Sequence, residues 1–153
     1  MNTTLPNPAI TSRSVTFLTG ACMMIRADVF KQTGPIPEDY FLYWEDVALS
    51  QHIINHGYTL YLLAQPLVRH AVSHSTGSTG ENSLSPLKAY YFARNPFLFI
   101  RKETHGYRQL SQLLGQFFIR LPYYAIQMIR DKKPVSLLAY LRGVIDGCIS
   151  LLS

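Results

Sequence analysis

Apolar residues fall in short runs through the first half of the chain and in long helical stripes through the second. Residues 1–14 are polar, hold Pro6 and Pro8, and show no period, which predicts a loop. Residues 15–25 are apolar but interrupted at Thr19-Gly20, the pattern of a short buried strand or strand-turn. Residues 26–33 suit a short helix ended by Gly34-Pro35. Residues 36–44 are aromatic-rich and read as loop or extended chain. Residues 45–55 predict a helix, with Glu45 and Asp46 in its first turn, where acids suit the helix dipole, and Gly57 just past its end. Residues 58–63 predict a strand closed by Pro66, and 67–72 a second strand. A polar Ser/Thr/Gly loop follows over 73–85.

The texture then changes. Residues 86–101 read as a helix crowded with Tyr90, Tyr91, Phe92, Phe97, Leu98 and Phe99, with Pro96 expected to kink or break it. Leu110, Leu113, Leu114, Phe117, Phe118 and Leu121 keep helical spacing, and Tyr124, Ala125 and Met128 continue the stripe beyond Pro122. Gln112, Gln116 and Arg120 fall on the opposite side. After Pro134 a second stripe runs through Leu137, Leu138, Leu141, Val144, Ile145, Cys148 and Leu152. Neither segment is an uninterrupted apolar run long enough to span a bilayer. Interfacial helices are the preferred reading, with Arg120, Arg130, Lys132, Lys133 and Arg142 near the edges of the apolar faces. Ordinary helices packed on a core are the alternative.

With 153 residues the chain has room for one domain with a core. At 48% hydrophobic and 15% charged, with 12% aromatic, it is neither disordered nor coiled-coil. Cys22 and Cys148 form no CxxC spacing, and two cysteines in this length suit a reducing compartment. The first residues lack the basic and then apolar pattern of a signal peptide. The net charge of +5 is unevenly placed. Residues 1–81 hold four Lys/Arg against six Asp/Glu, and residues 82–153 hold ten against three. The basic second half points to an anionic partner, lipid before nucleic acid, because its cations alternate with broad apolar stripes.

Two clusters could carry chemistry. Tyr43-Trp44-Glu45-Asp46 puts paired carboxylates beside an aromatic at a helix start, and either could serve as a base toward a hydroxyl. A helix N-terminus lowers a carboxylate pKa while burial against Trp44 raises it, and from spacing alone an acidic first turn that only stabilises the helix is the preferred reading. His70 and His74 stand four apart before a Ser/Thr/Gly loop, as metal ligands or as solvated loop residues. No P-loop, GxSxG, HExxH or GxGxxG motif is present.

In order along the chain stand Thr19-Gly20-Ala21, Met24-Ile25-Arg26, Phe30, Gly34, Phe41-Leu42-Tyr43-Trp44-Glu45-Asp46-Val47, Gly57-Tyr58, His74-Ser75-Thr76-Gly77-Ser78, Tyr90-Tyr91 and Arg94-Asn95. This series resembles the C-terminal half of family 2 glycosyltransferases with the GT-A fold, most of all bacterial rhamnosyltransferases of O-antigen and cell-surface polysaccharide synthesis. The resemblance covers residues 15–102. It implies an α/β fold: 1–14 as an N-terminal loop, 15–102 as the acceptor-side portion of a Rossmann-like GT-A domain, and 103–153 as an amphipathic helical tail on a membrane surface.

The resemblance also implies roles. Asp46 would be the base that deprotonates the acceptor hydroxyl, with Glu45 beside it. Trp44 would line the acceptor pocket, Gly20 and Ala21 would border the cleft, and Arg94 would meet a phosphate or brace a loop. His74, or failing that His70, would complete a metal or diphosphate site. A divalent metal (magnesium or manganese) is implied for the intact enzyme. The family's second motif Asp and its following Arg are Ala48 and His52 here. The chain has no DxD element. The donor-nucleotide half is therefore expected to be missing, leaving a C-terminal fragment inactive alone that holds no metal. The implied reaction is inverting rhamnosyl transfer from dTDP-rhamnose to a lipid-linked saccharide in O-antigen or lipopolysaccharide synthesis, at the cytoplasmic face of the inner membrane, with no nucleic acid. A non-catalytic membrane-surface or interaction module is the alternative.

Overall fold

The computed structural model of the chain describes residues 12–64, 68 and 85–152. The strand expected over 67–72 and most of the polar loop after it lie outside these residues.

Two strands, β1 (Ser12–Val15) and β2 (Leu60–Leu63), pair antiparallel with Ser12 opposite Leu63 and Val15 opposite Leu60. A two-stranded ribbon is marginal alone. Here Leu60 anchors it, packed with Val29, Leu49 and Ile53. The apolar run after β1 is irregular rather than a continued strand. Its Leu18, Met23 and Ile25 are half-buried against that same cluster.

Helix α1 (Ala27–Thr33) ends where expected. Gly34 takes φ +83°, and its N–H donates to the Phe30 carbonyl at 3.0 Å. Helix α2 (Glu45–Asn55) matches the predicted span, and Gly57 beyond it takes φ +82°. Between them, residues 36–44 form one 3-10 turn (Glu38–Tyr40) and a bent loop.

Helix α3 (Pro86–Glu103) starts with Ser85 as cap and Pro86 in the first turn, where a missing N–H costs nothing. It runs unbroken through Pro96. Burial of Asn95, Pro96, Phe97, Leu98, Phe99 and Ile100 on several sides outweighs the one lost backbone bond.

The chain then stays helical from 106 to 130: α4 (Gly106–Gly115), a π turn (Gln116–Arg120) and α5 (Leu121–Arg130). Pro122 explains the π turn. Its ring crowds the preceding turn and offers it no N–H, and a wider turn absorbs both defects. The wider turn also shifts the register of the stripe. Arg120, opposite the apolar stripe by simple spacing, instead faces Phe92, Trp44 and Tyr124.

Helix α6 (Pro134–Ser150) packs on α3 through its small residues. A Cβ at Gly143 would lie 2.3 Å from the Tyr90 carbonyl oxygen, and one at Gly147 would lie 2.6 Å from Phe97 Cδ2. Tyr90 also donates its hydroxyl to Asp146 at 2.8 Å. The buried face is thus Ser136, Tyr140, Gly143 and Gly147, not the larger apolar stripe. Leu138, Leu141 and Leu152 of that stripe are exposed, as are Val135, Ile145 and Ile149. Helix α4 buries no residue. Among the described residues no helix is long and apolar enough to cross a membrane. Strand among them is confined to the one antiparallel ribbon.

Candidate active site

The head of α2 is shaped by an unusual approach. Phe41, Tyr43 and Trp44 all take left-handed φ values, +57°, +65° and +76°. Side-chain residues adopt that region at a cost, so something must hold them there. Asn95 does so from α3. It is fully buried, and its Nδ2 donates to the carbonyls of Tyr40 at 2.7 Å, Leu42 at 2.8 Å and Tyr43 at 2.8 Å. Arg94 braces the same loop from outside, donating to the Asp39 carbonyl at 3.1 Å and to Asn95 Oδ1 at 3.2 Å. Lys102 also pairs with the Asp39 carboxylate, which holds that group below the usual carboxylate range.

Asp46 follows directly. Its Oδ2 accepts from the Gly20 N–H at 3.0 Å and its Oδ1 from the Val47 N–H at 2.8 Å. One turn on, Ser50 Oγ accepts from the Leu18 N–H at 3.2 Å. Residues two apart in an extended segment therefore meet residues four apart on a helix face. This clamps the 18–20 segment on α2 and fixes the Asp46 carboxylate. Each carboxylate oxygen keeps acceptor capacity beyond its single N–H. Gly20 is not forced by space, since a Cβ there would touch Asp46 Cβ at an ordinary 3.6 Å.

Glu45 turns elsewhere. Its Oε2 is buried without a hydrogen-bond partner, and the residue lines an open pocket of about 330 Å³ with Phe30, Ile36, Glu38 and Phe41. Tyr43 nearby has its hydroxyl pKa raised, by burial first and by the Glu45 charge second. Trp44 is half-buried, its ring tilted against Phe99 with centroids 5.2 Å apart and covered by Arg120 at 5.3 Å.

The structure thus brings Gly20, Trp44, Glu45 and Asp46 to one helix start. Ala21 is exposed beside it. Arg94 is engaged with the loop. His70 and His74 lie outside the described residues. Among the described residues no three His, Cys, Asp or Glu side chains gather as a metal site, and Glu45 and Asp46 face different neighbours. Glu45 and Asp46 by themselves do not form a pair of metal ligands.

The two departures from the family pattern have clear places. Ala48 is fully buried against Tyr40, Leu98 and Phe99, where a carboxylate would be desolvated. His52 Nε2 lies 2.7 Å from Glu103 Oε1, joining α2 to α3. Two residues have roles here that the sequence reading did not assign them. Asn95 carries a signal, an amide amid an apolar helical run. Arg120 carries a weaker one, a cation flanked by Phe117, Phe118, Tyr123 and Tyr124.

No family model matches the chain, and no solved structure does. Two curated proteins are similar to it, and their similarity supports a glycosyltransferase relationship. Both carry the name N-acetylglucosaminyl-diphospho-decaprenol L-rhamnosyltransferase, from Mycobacterium tuberculosis strains CDC 1551 / Oshkosh and ATCC 25618 / H37Rv. Each is 30% identical over 95 residues, which are 62% of this chain and 29% of the relative. The match thus spans under a third of the relatives' length.

Proposed function

We propose that this chain supplies the acceptor side of an inverting glycosyltransferase of the GT-A class, transferring a rhamnosyl group to a lipid-linked sugar. The observation that carries the reading is the clamped Asp46. A carboxylate is fixed at the end of a strained, braced loop, next in sequence to Trp44 and to Glu45, which lines a separate open pocket of about 330 Å³. Asp46 takes the proton of the acceptor hydroxyl as that oxygen forms its bond to the anomeric carbon. The bond from that carbon to the nucleoside diphosphate breaks with inversion, and the diphosphate carries away the electron pair. The pocket beside Glu45 and Phe41 offers a carboxylate and an aromatic face to a sugar ring.

The donor dTDP-rhamnose and any divalent metal would be held by a donor-side half with its own DxD element. O-antigen or lipopolysaccharide synthesis is the pathway class that fits a lipid-linked acceptor. The exposed apolar residues of α4, α5 and α6, rimmed by Arg130, Lys132, Lys133 and Arg142, suit peripheral attachment to an anionic membrane at the cytoplasmic face.

A graft tests this reading. Residues 15–109 replace the corresponding segment of the mycobacterial relative, and rhamnosyl transfer from dTDP-rhamnose to a polyprenyl-diphosphate-linked N-acetylglucosamine is measured. The reading expects transfer. A folded graft that binds dTDP-rhamnose yet transfers nothing contradicts it and favours a non-catalytic surface module.

A further inference from the structure

Among the described residues, half-buried Arg120 has no counter-ion. Its guanidinium lies 4.3 Å over the Phe92 ring, 5.3 Å over Trp44 and 5.8 Å over Tyr124. Its Nε is buried and has no hydrogen-bond acceptor among the described residues. None of the ion pairs among the described residues includes it. Burial pushes its pKa down, and no carboxylate opposes that shift. A protein that desolvates a charge ordinarily pairs it, because the unpaired state is costly. The three rings offset part of that cost, but an aromatic face cannot accept the Nε proton in place of an oxygen. The π turn that aims Arg120 inward is itself a local departure of the kind found at working sites.

We propose that Arg120 is a binding residue for the diphosphate of a polyprenyl-linked sugar acceptor, with Trp44 and Phe92 as the walls of its site. The planar guanidinium offers paired N–H donors to phosphate oxygens, which a lone ammonium does not. The order of groups in such an acceptor is lipid, diphosphate, sugar. In the protein, Arg120 lies over Trp44, which leads into Asp46, and the helical stretch that carries Arg120 also exposes Leu114, Phe118 and Ile126. The lipid identity of the ligand rests on the acceptor reading above, whereas diphosphate binding at Arg120 does not.

Trp44 is the chain's single tryptophan, so its fluorescence reports directly on this site. The full chain is titrated with inorganic diphosphate, with dTDP, and with phosphatidylcholine vesicles with and without a polyprenyl diphosphate. The expected result is a saturable Trp44 signal with inorganic diphosphate, and tighter binding to the vesicles that carry polyprenyl diphosphate than to dTDP. R120M removes both responses. R120K keeps the charge but loses the fork and weakens binding by roughly tenfold. Neutralising Lys132 and Lys133 to Gln leaves the inorganic diphosphate response in place. No saturable response in the native chain, or one that persists in R120M, overturns the site. Should R120M fail to fold, R120K decides, since unchanged binding there means diffuse charge attraction. A response to dTDP stronger than that to polyprenyl diphosphate overturns the lipid source while leaving the anion site. A graft that fails to transfer sugar, alongside diphosphate binding at Arg120 in the native chain, would sink the enzymatic reading and not this one.

Discussion

Replacing Asn95 with Ala should cost the protein about 2–4 kcal/mol and release the loop that leads into α2. Asn95 is fully buried, and its amide donates to three backbone carbonyls. The two amide hydrogens serve these three carbonyls by sharing, so at about 1 kcal/mol net for each hydrogen their removal accounts for roughly 2 kcal/mol, and the lost amide volume adds to it. Relaxation of Phe41, Tyr43 and Trp44 out of left-handed backbone returns part of this loss. That return is also why the loop moves rather than waiting with unpaired carbonyls. N95D loses the donor and sets a carboxylate against the same carbonyls, so it should be at least as damaging at neutral pH. Urea unfolding, followed by far-UV circular dichroism and by Trp44 fluorescence, measures both effects. The variant should show a lower midpoint and, before any denaturant, a red-shifted Trp44 emission. A loss below about 0.5 kcal/mol with Trp44 emission unchanged would refute the clamp.

Further predictions concern packing and titration. G143A should destabilise by about 1–3 kcal/mol, because its methyl would sit 2.3 Å from a backbone oxygen, whereas G115A, with nothing within 4 Å, should stabilise by up to about 1 kcal/mol. Thermal melts of the two variants read opposite signs if α6 packs as described. Y40F should match or exceed the native melting temperature, since the Tyr40 hydroxyl is buried without a partner; a clear loss would mean that hydroxyl is satisfied. Burial pushes the Tyr140 hydroxyl up to about 12 and raises Tyr40 as well. The unfolded chain releases those protons from about pH 10 while the folded chain keeps them, so stability should fall as pH rises through that range. Urea midpoints measured from pH 8 to 11 check the slope, and Y140F should flatten it.

The local elements of the first half were legible because their signals are local. Acids in a first turn and a glycine past the last turn define α2, and Gly34 closes α1. The meeting of Gly20 with Asp46 was legible only as motif order, since nothing local to either residue requires the other. Three features resisted reading for stated physical reasons. Pro96 sits inside an unbroken helix because burial around it outweighs one backbone bond. Arg120 faces inward because Pro122 forces a π turn, which shifts a register that periodicity takes as constant. The packed face of α6 is built around Gly143 and Gly147, which close approach to α3 requires, so Leu138, Leu141 and Ile145 face out while Tyr140, Leu137 and Val144 flank the contact. Asn95 belonged to a recognised Arg-Asn pair, but its role depends on carbonyls more than fifty positions away.

Asp46 carries the central claim, and D46N in the active graft tests it most directly. The substitution keeps the size of the side chain and an oxygen able to accept from Gly20, and removes the base. With dTDP-rhamnose binding shown to be unchanged, the rate of rhamnosyl transfer at saturating acceptor should fall by about 10²–10⁴-fold, the usual share of a general base. A D46N graft that transfers within a few-fold of its parent would contradict the account.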